Sequence, residues 1–113
     1  MTTPLTEKSC KPCEGGVAPL TAAEARPYLA QVADGWTLTD GARAIRREFA
    51  FRDFYRTMSF VNALAHIANV EDHHPDLEVG YNYCRVTFTT HSIRGLSEND
   101  FVCAAKIDLI PLR

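Results

Sequence analysis

The sequence predicts an α+β domain: a four-stranded antiparallel sheet with three helices packed on one face, in the order α-β-β-α-β-β-α. Three observations carry this. The stretch from Phe54 to about Val70 repeats apolar residues at helical spacing. Two other stretches, near 36–51 and 77–90, alternate apolar and polar residues around turn residues. TAAE at 21–24 and SEND at 97–100 have the form of capping boxes, one before the first strand pair and one after the second. Helix, hairpin, helix, hairpin, helix is a pattern that buries one face of a sheet under helices.

The elements follow in order. Residues 1–20 hold Pro4, Pro12, Pro19 and Gly15-Gly16, and they read as a loosely structured leader. Residues 21–113 form a single domain. Thr21 caps a helix over about 22–33, with Leu29 and Val32 toward the core and Pro27 as an interior irregularity. Asp34-Gly35 ends it. WTLT at 36–39, then Asp40-Gly41, then a run closing on RREFAF make a hairpin. Its second strand sends Ile45, Phe49 and Phe51 to one side and Arg46, Glu48 and Ala50 to the other. Asp53 caps the long helix, whose core stripe is expected from Phe54, Met58, Val61, Ala65 and Ala68, widened by Leu64 and Ile67. Leu77, Val79 and Tyr81 alternate as a strand, Asn82-Tyr83 turns, and Cys84 to Thr90 returns. Ser97 then caps a helix from about Glu98 to Leu109, with Leu96 and Phe101 placed as a hydrophobic staple and Pro111 closing it.

Composition excludes several classes of function. A chain of 113 residues can bury a real but modest core. A net charge of −2 gives no electrostatic reason to expect nucleic acid or an anionic membrane as partner. No apolar run nears the ~18 residues that a membrane span needs, and the N-terminal residues lack the apolar core of a signal peptide. The expected location is cytoplasmic. No GxSxG, P-loop or GxGxxG pattern is present.

Cys84 and Cys103 fall inside apolar patterns and read as buried hydrophobes. Cys10 and Cys13 form a CxxC in the leader. A zinc site would need two further ligands, and a redox pair would be expected to open a helix, whereas glycines follow here. The expectation is an incidental, solvent-near pair.

The histidines hold the chemistry. EDHHPDLEVGY sets His73 and His74 side by side before Pro75. Proline disfavours the helical conformation for the residue that precedes it, so the dipeptide is extended and its two rings point apart. That geometry suits chelation of one ion poorly. Imidazole titrates near neutrality, so proton transfer is the better fit, with His91 supplying a second element. Histidines that merely decorate polar loops are the plain alternative. His66 reads as a surface residue of the long helix. Asp100 is explained by the capping box alone, though a carboxylate there can also orient a histidine.

The ordered set His73-His74-Pro75, Tyr81-Asn82, Thr90-His91 and Gly95-Leu96-Ser97 with Asp100 resembles the pterin-4a-carbinolamine dehydratase family, from about Leu20 to Ile107. The leader CKPCEGG is similar to that of bacterial members. The resemblance implies the α+β fold, a dimer or tetramer, and loss of water from 4a-hydroxytetrahydropterin to give quinonoid dihydropterin. That recycles a cofactor after aromatic amino-acid hydroxylation, so functional coupling to such a hydroxylase is expected. No cofactor or metal is implied. His73 and His91 would be the acid/base pair, and His74 would hold the pterin and contribute to catalysis. Asp72, Pro75, Thr90 and Asp100 would contact substrate or support the histidines, Asp100 through His91 or the substrate. Many relatives carry Glu where this chain has Asn69. Either Glu71 or Asp72 compensates, or substrate contacts differ. A different class of function, an interaction or assembly factor on the same fold, is the alternative.

Overall fold

The computed structural model describes residues 3–12 and 17–112. Three helices and four strands appear in the expected order: α1 (Ala22–Leu29), β1 (Thr37–Thr39), β2 (Ala44–Ala50), α2 (Phe54–Glu71), β3 (Asp76–Val79), β4 (Tyr83–Phe88) and α3 (Glu98–Ile107). Short 3₁₀ turns at Leu5–Glu7 and His91–Ile93 precede α1 and α3. The sheet is antiparallel throughout, in the order β1-β2-β4-β3, so the two hairpins meet at the β2–β4 pair.

Local chemistry explains the boundaries. Thr21 and Glu24 form the reciprocal capping box that starts α1. The helix ends at Leu29, four residues short of the expected end. Pro27 has no N–H to give, and the bonds that follow tighten to the three-residue spacing, from Gln31 to the Tyr28 carbonyl and Val32 to that of Leu29. The first hairpin closes through residues 40–43, where Asp40, Gly41 and Ala42 are all left-handed, at φ 52°, 63° and 65°. In β2, Ile45 and Phe49 are buried while Arg46, Glu48 and Ala50 are exposed, as the alternation requires. In β4, Cys84, Val86 and Phe88 form the inward row. Tyr83 opens β4, so the second turn sits one residue earlier than expected and Tyr81 falls outside β3.

The stripe of α2 is rotated from the expected one. Thr57, Phe60, Leu64 and Ala68 are buried, whereas Phe54 and Ala65 are exposed. Thr57 was not visible as a core residue because it is polar. Its hydroxyl lies 2.9 Å from the carbonyls of both Asp53 and Tyr81, which lets it enter the core without an unpaired group. Phe60 then packs on Phe49 and Phe51 from the sheet.

Helix α3 lies at the centre. Phe101, Val102, Cys103, Ala104 and Ile107 are fully buried, and Tyr28 from α1 stacks on Phe101 at 5.2 Å. Asp108, just past α3, accepts from Trp36 Nε1 at 2.8 Å, from the Ala33 amide at 2.9 Å and from Arg47 at 2.5 Å, tying the first hairpin to the helix end. The described part of the leader is seated against this core. Leu5 is buried within it, Lys8 pairs with Glu98 at 3.1 Å, and Asn99 exchanges two hydrogen bonds with the Lys11 backbone.

Candidate active site

His73 and His74 follow directly from the way α2 ends. Asp72 adopts the left-handed conformation at φ 50°, and its amide and that of His73 turn back to the carbonyls of Ala68 and Asn69. The chain then runs extended into Pro75 and β3. Adjacent rings point apart: His73 is half-buried and faces inward, and His74 is exposed.

His73 is held on two sides. Its ring stacks parallel to Phe88 of β4, with centroids 5.9 Å apart and planes 6° from parallel. Its Nε2 lies 2.6 Å from Oδ1 of Asp100, a carboxylate with no solvent exposure. The other carboxylate oxygen accepts from the Thr90 hydroxyl at 2.9 Å and from the Ser97 amide at 3.0 Å. Thr90 and Ser97 hydroxyls are themselves 2.7 Å apart. Asp100 therefore caps α3 and grips His73 with the same group. A carboxylate already accepting from a hydroxyl and an amide is held as an acceptor, which places the Nε2 proton of His73 toward it and leaves Nδ1 as the other ring nitrogen. The capping role was legible from SEND. Of the two expected duties, support of His91 or contact with the substrate, the first falls to a different ring: the histidine that Asp100 touches is His73.

His91 begins the 3₁₀ turn after β4. The turn is pinned by a reciprocal backbone pair between Thr90 and Gly95, at 2.9 and 3.4 Å. A side chain at Gly95 would put its Cβ 2.6 Å from Pro19, so only glycine permits this approach. His91 is exposed and meets His73 and His74 around one cavity of about 440 Å³. Asp72 and Thr90 also line it, whereas Asp100 and Pro75 do not, Asp100 being joined to it through His73.

Six wall residues were not anticipated: Thr89, Ser92 and Asn99, and three from the leader. Cys10, Lys11 and Pro12 of the leader close one side, beside Asn99 of α3. They are anchored where the Cys10 amide donates to Glu71 Oε1 at 2.8 Å. Nothing in the spacing of a polar leader points to that seat. Glu71 is thereby committed elsewhere, with Lys106 Nζ 2.7 Å from its other oxygen. Burial opposes its charge, but Lys106 and the Cys10 amide outweigh that and hold the carboxyl below its ordinary value. Asn69 Oδ1 lies 3.0 Å from His74 Nε2. Cys10 is half-buried, with its sulfur 3.4 Å from that of Cys103. Cys13 lies outside the described residues. Among the described residues no group of three or more His, Cys, Asp or Glu side chains is arranged to hold a metal ion. None of the described helices is long and apolar enough to cross a membrane.

The family model for pterin 4 alpha carbinolamine dehydratase matches residues 18–110. The chain belongs to that family. A provisionally named pterin-4-alpha-carbinolamine dehydratase of Nitrosomonas eutropha is 57% identical over 94% of this chain and 92% of its own length. One of Legionella pneumophila, named in the same way, is 56% identical over 96% of each. A crystal structure of a "transcriptional coactivator/pterin dehydratase" from Brucella melitensis superposes with a TM-score of 0.74 at 39% identity, covering 79% of this chain and 94% of that one. A pterin dehydratase-like protein described as a RuBisCO assembly factor of the alpha-carboxysome shares the fold, with a TM-score of 0.57 at 24% identity over 66% of this chain and 86% of its own. Family and relatives together support a pterin carbinolamine dehydratase activity.

Proposed function

We propose that this chain dehydrates 4a-hydroxytetrahydropterin to quinonoid dihydropterin by histidine acid/base catalysis, within cytoplasmic recycling of a tetrahydropterin cofactor. The observation that carries the reading is the pairing of a wholly buried carboxylate with His73, which lines a cavity that His74 and His91 share. The reaction breaks the C4a–O bond, forms the C4a–N5 double bond, and sends one proton to the departing hydroxyl as another leaves N5. Water is the only by-product, and no electrons are gained or lost.

The two protons need two groups. His73 donates its Nε2–H hydrogen bond to Asp100, which leaves Nδ1 to take the proton from N5. The buried carboxylate offsets the charge that then develops on the ring. His91, on a separate element and open to water, supplies the proton to the hydroxyl and is reprotonated from solvent. His74, fixed by Asn69, holds the pterin and contributes to catalysis. Asp72 and Thr90 line the ring's seat, and Pro75 sets the angle of the loop. General acid/base help of this kind is worth roughly 10²–10⁴-fold.

Self-association as a homodimer or homotetramer belongs to the same proposal. Strand β3 is a sheet edge on which Leu77 and Val79 are exposed, with Tyr81 stacked on Phe54 beside it. An unpaired apolar edge is a template for another chain. Light scattering at micromolar concentration reads the oligomer directly. The test of the chemistry is dehydration of chemically generated substrate by the purified chain, beside His73→Ala and His91→Ala. Each substitution is expected to remove at least about a hundredfold of rate. A wild-type chain no faster than buffer sinks the enzyme reading.

A further inference from the structure

Two cysteines far apart in sequence meet at the wall of the cavity. Cys10 Sγ and Cys103 Sγ are 3.4 Å apart across 93 residues of chain. Cys10 comes from an irregular segment and Cys103 from the buried centre of α3. The backbone on both sides of the Cys10 thiol is held, by the Cys10 amide on Glu71 and the Lys11 amide on Asn99 Oδ1 at 3.0 Å, so the thiol is aimed at Cys103. Each sulfur has one carbonyl in reach, Asn99 for Cys10 at 3.6 Å and His73 for Cys103 at 3.9 Å. Proton transfer on the pterin uses neither sulfur.

We propose that Cys10 and Cys103 form a two-electron oxidation site, which a small hydroperoxide converts to a disulfide joining the leader to α3. The pairing stands whether or not the dehydratase reading does.

Access sets the order of events. Cys10 lines the cavity, whereas Cys103 has no exposure. Cys10 therefore meets the peroxide first. Its sulfur bonds to one peroxide oxygen, the O–O bond breaks, and the other oxygen leaves with the thiol proton, as water from hydrogen peroxide or as an alcohol from an alkyl hydroperoxide, which makes Cys10 a sulfenic acid. Cys103 sulfur then attacks Cys10 sulfur. The S–S bond forms, the S–O bond breaks, and the departing oxygen takes the Cys103 proton and leaves as water. Two thiols lose two electrons, and the peroxide gains them. The hydrogen bond to Cys10 and burial both push the Cys103 thiol far up, so it still carries the proton that the departing oxygen takes. Closing from 3.4 Å to a disulfide length of about 2.05 Å asks for roughly 1.4 Å of movement, which the irregular leader can supply while α3 stays in place. Cys84 is a built-in control: it is buried, and burial pushes its pKa up to about 11.

The competing outcome is a local Cys10–Cys13 disulfide, since the two are a CxxC in sequence. The experiment is a non-reducing tryptic map of the full chain after reduction, removal of reductant, and exposure to a few equivalents of hydrogen peroxide. A peptide joining residues 9–43 to residues 95–106 is expected, with two of the four thiols lost. The same cross-link is expected in Cys13→Ser, and none in Cys10→Ser or in Cys103→Ala. It should form at least about tenfold faster in the native chain than in urea, a readout that does not depend on how well the variants fold. A disulfide confined within residues 9–43, persistent sulfinic acid on Cys10 without a cross-link, or equal rates in native and urea-unfolded chain overturns the proposal.

Discussion

His73 Nε2 and Asp100 Oδ1 stand 2.6 Å apart, and the Asp100 carboxylate has no route to water. One side chain therefore serves the start of a helix and a histidine of the cavity wall. The two duties separate by substitution. Asp100→Ala strands the Ser97 amide, takes from the Thr90 hydroxyl one of its two partners and leaves His73 unpaired, and unfolding in urea is expected to show a loss of roughly 3 kcal/mol or more. Asp100→Asn keeps an acceptor for the cap, so its stability loss is smaller, about 1–2 kcal/mol. Dehydration by Asp100→Asn is nevertheless expected to fall at least about tenfold. A double-mutant cycle with His73→Ala should show coupling of at least about 1 kcal/mol in the activity data, and additive effects would separate the two residues.

Asn69 holds His74 from an exposed position, so its loss is expected to be felt in binding more than in turnover. Asn69→Ala should raise KM by up to about tenfold with kcat little changed, since a neutral hydrogen bond is worth roughly 0.5–1.5 kcal/mol. Asn69→Glu restores an acceptor and should stay within about threefold of wild type. Steady-state kinetics on all three forms decides it.

Acid should loosen the leader. The Glu71 carboxyl lies below its ordinary value of 4.5 in the folded chain, so its contribution to stability is fully present above that value. It is lost as pH falls through the lower folded value. Unfolding free energy should drop more steeply with acid below about pH 4.5 in the wild type than in Glu71→Gln. Parallel curves would mean that the Glu71 pairing with Lys106 and Cys10 contributes nothing to folding.

Ala42 sits left-handed at φ 65° in the first turn, a conformation that costs a residue with a Cβ roughly 1–2 kcal/mol. Ala42→Gly is expected to raise stability by about 1 kcal/mol despite the flexibility it adds. Ala42→Val should lower it. Thermal unfolding of the pair gives the sign directly.

The sheet and helix order were legible because alternation and helical spacing are strong in β2, β4 and α2. The capping residues Thr21, Asp53 and Ser97 marked helix starts to the residue. Ends were less legible: Pro27 shortened α1 through a missing donor, an effect whose reach depends on neighbouring turns. The rotation of α2 came from Thr57, whose polarity conceals a core position until both its carbonyl partners are in place. In the cavity, the separation of His73 from His74 followed from Pro75 alone. Which histidine met Asp100 did not, because three-dimensional proximity decided it. The seat of the leader was hidden for a simpler reason. Where it walls the cavity its anchors are backbone amides at Cys10 and Lys11, and a backbone amide leaves no mark in a residue pattern.

That seat has a practical consequence. With Cys10, Lys11 and Pro12 as part of the wall, the leader is a working edge of the pocket and not mere packaging. A histidine tag fused to the N-terminus would add imidazoles to the same segment that walls a cavity lined by His73, His74 and His91. Recombinant preparations meant for kinetics are better tagged beyond the other terminus, or freed of the tag before assay.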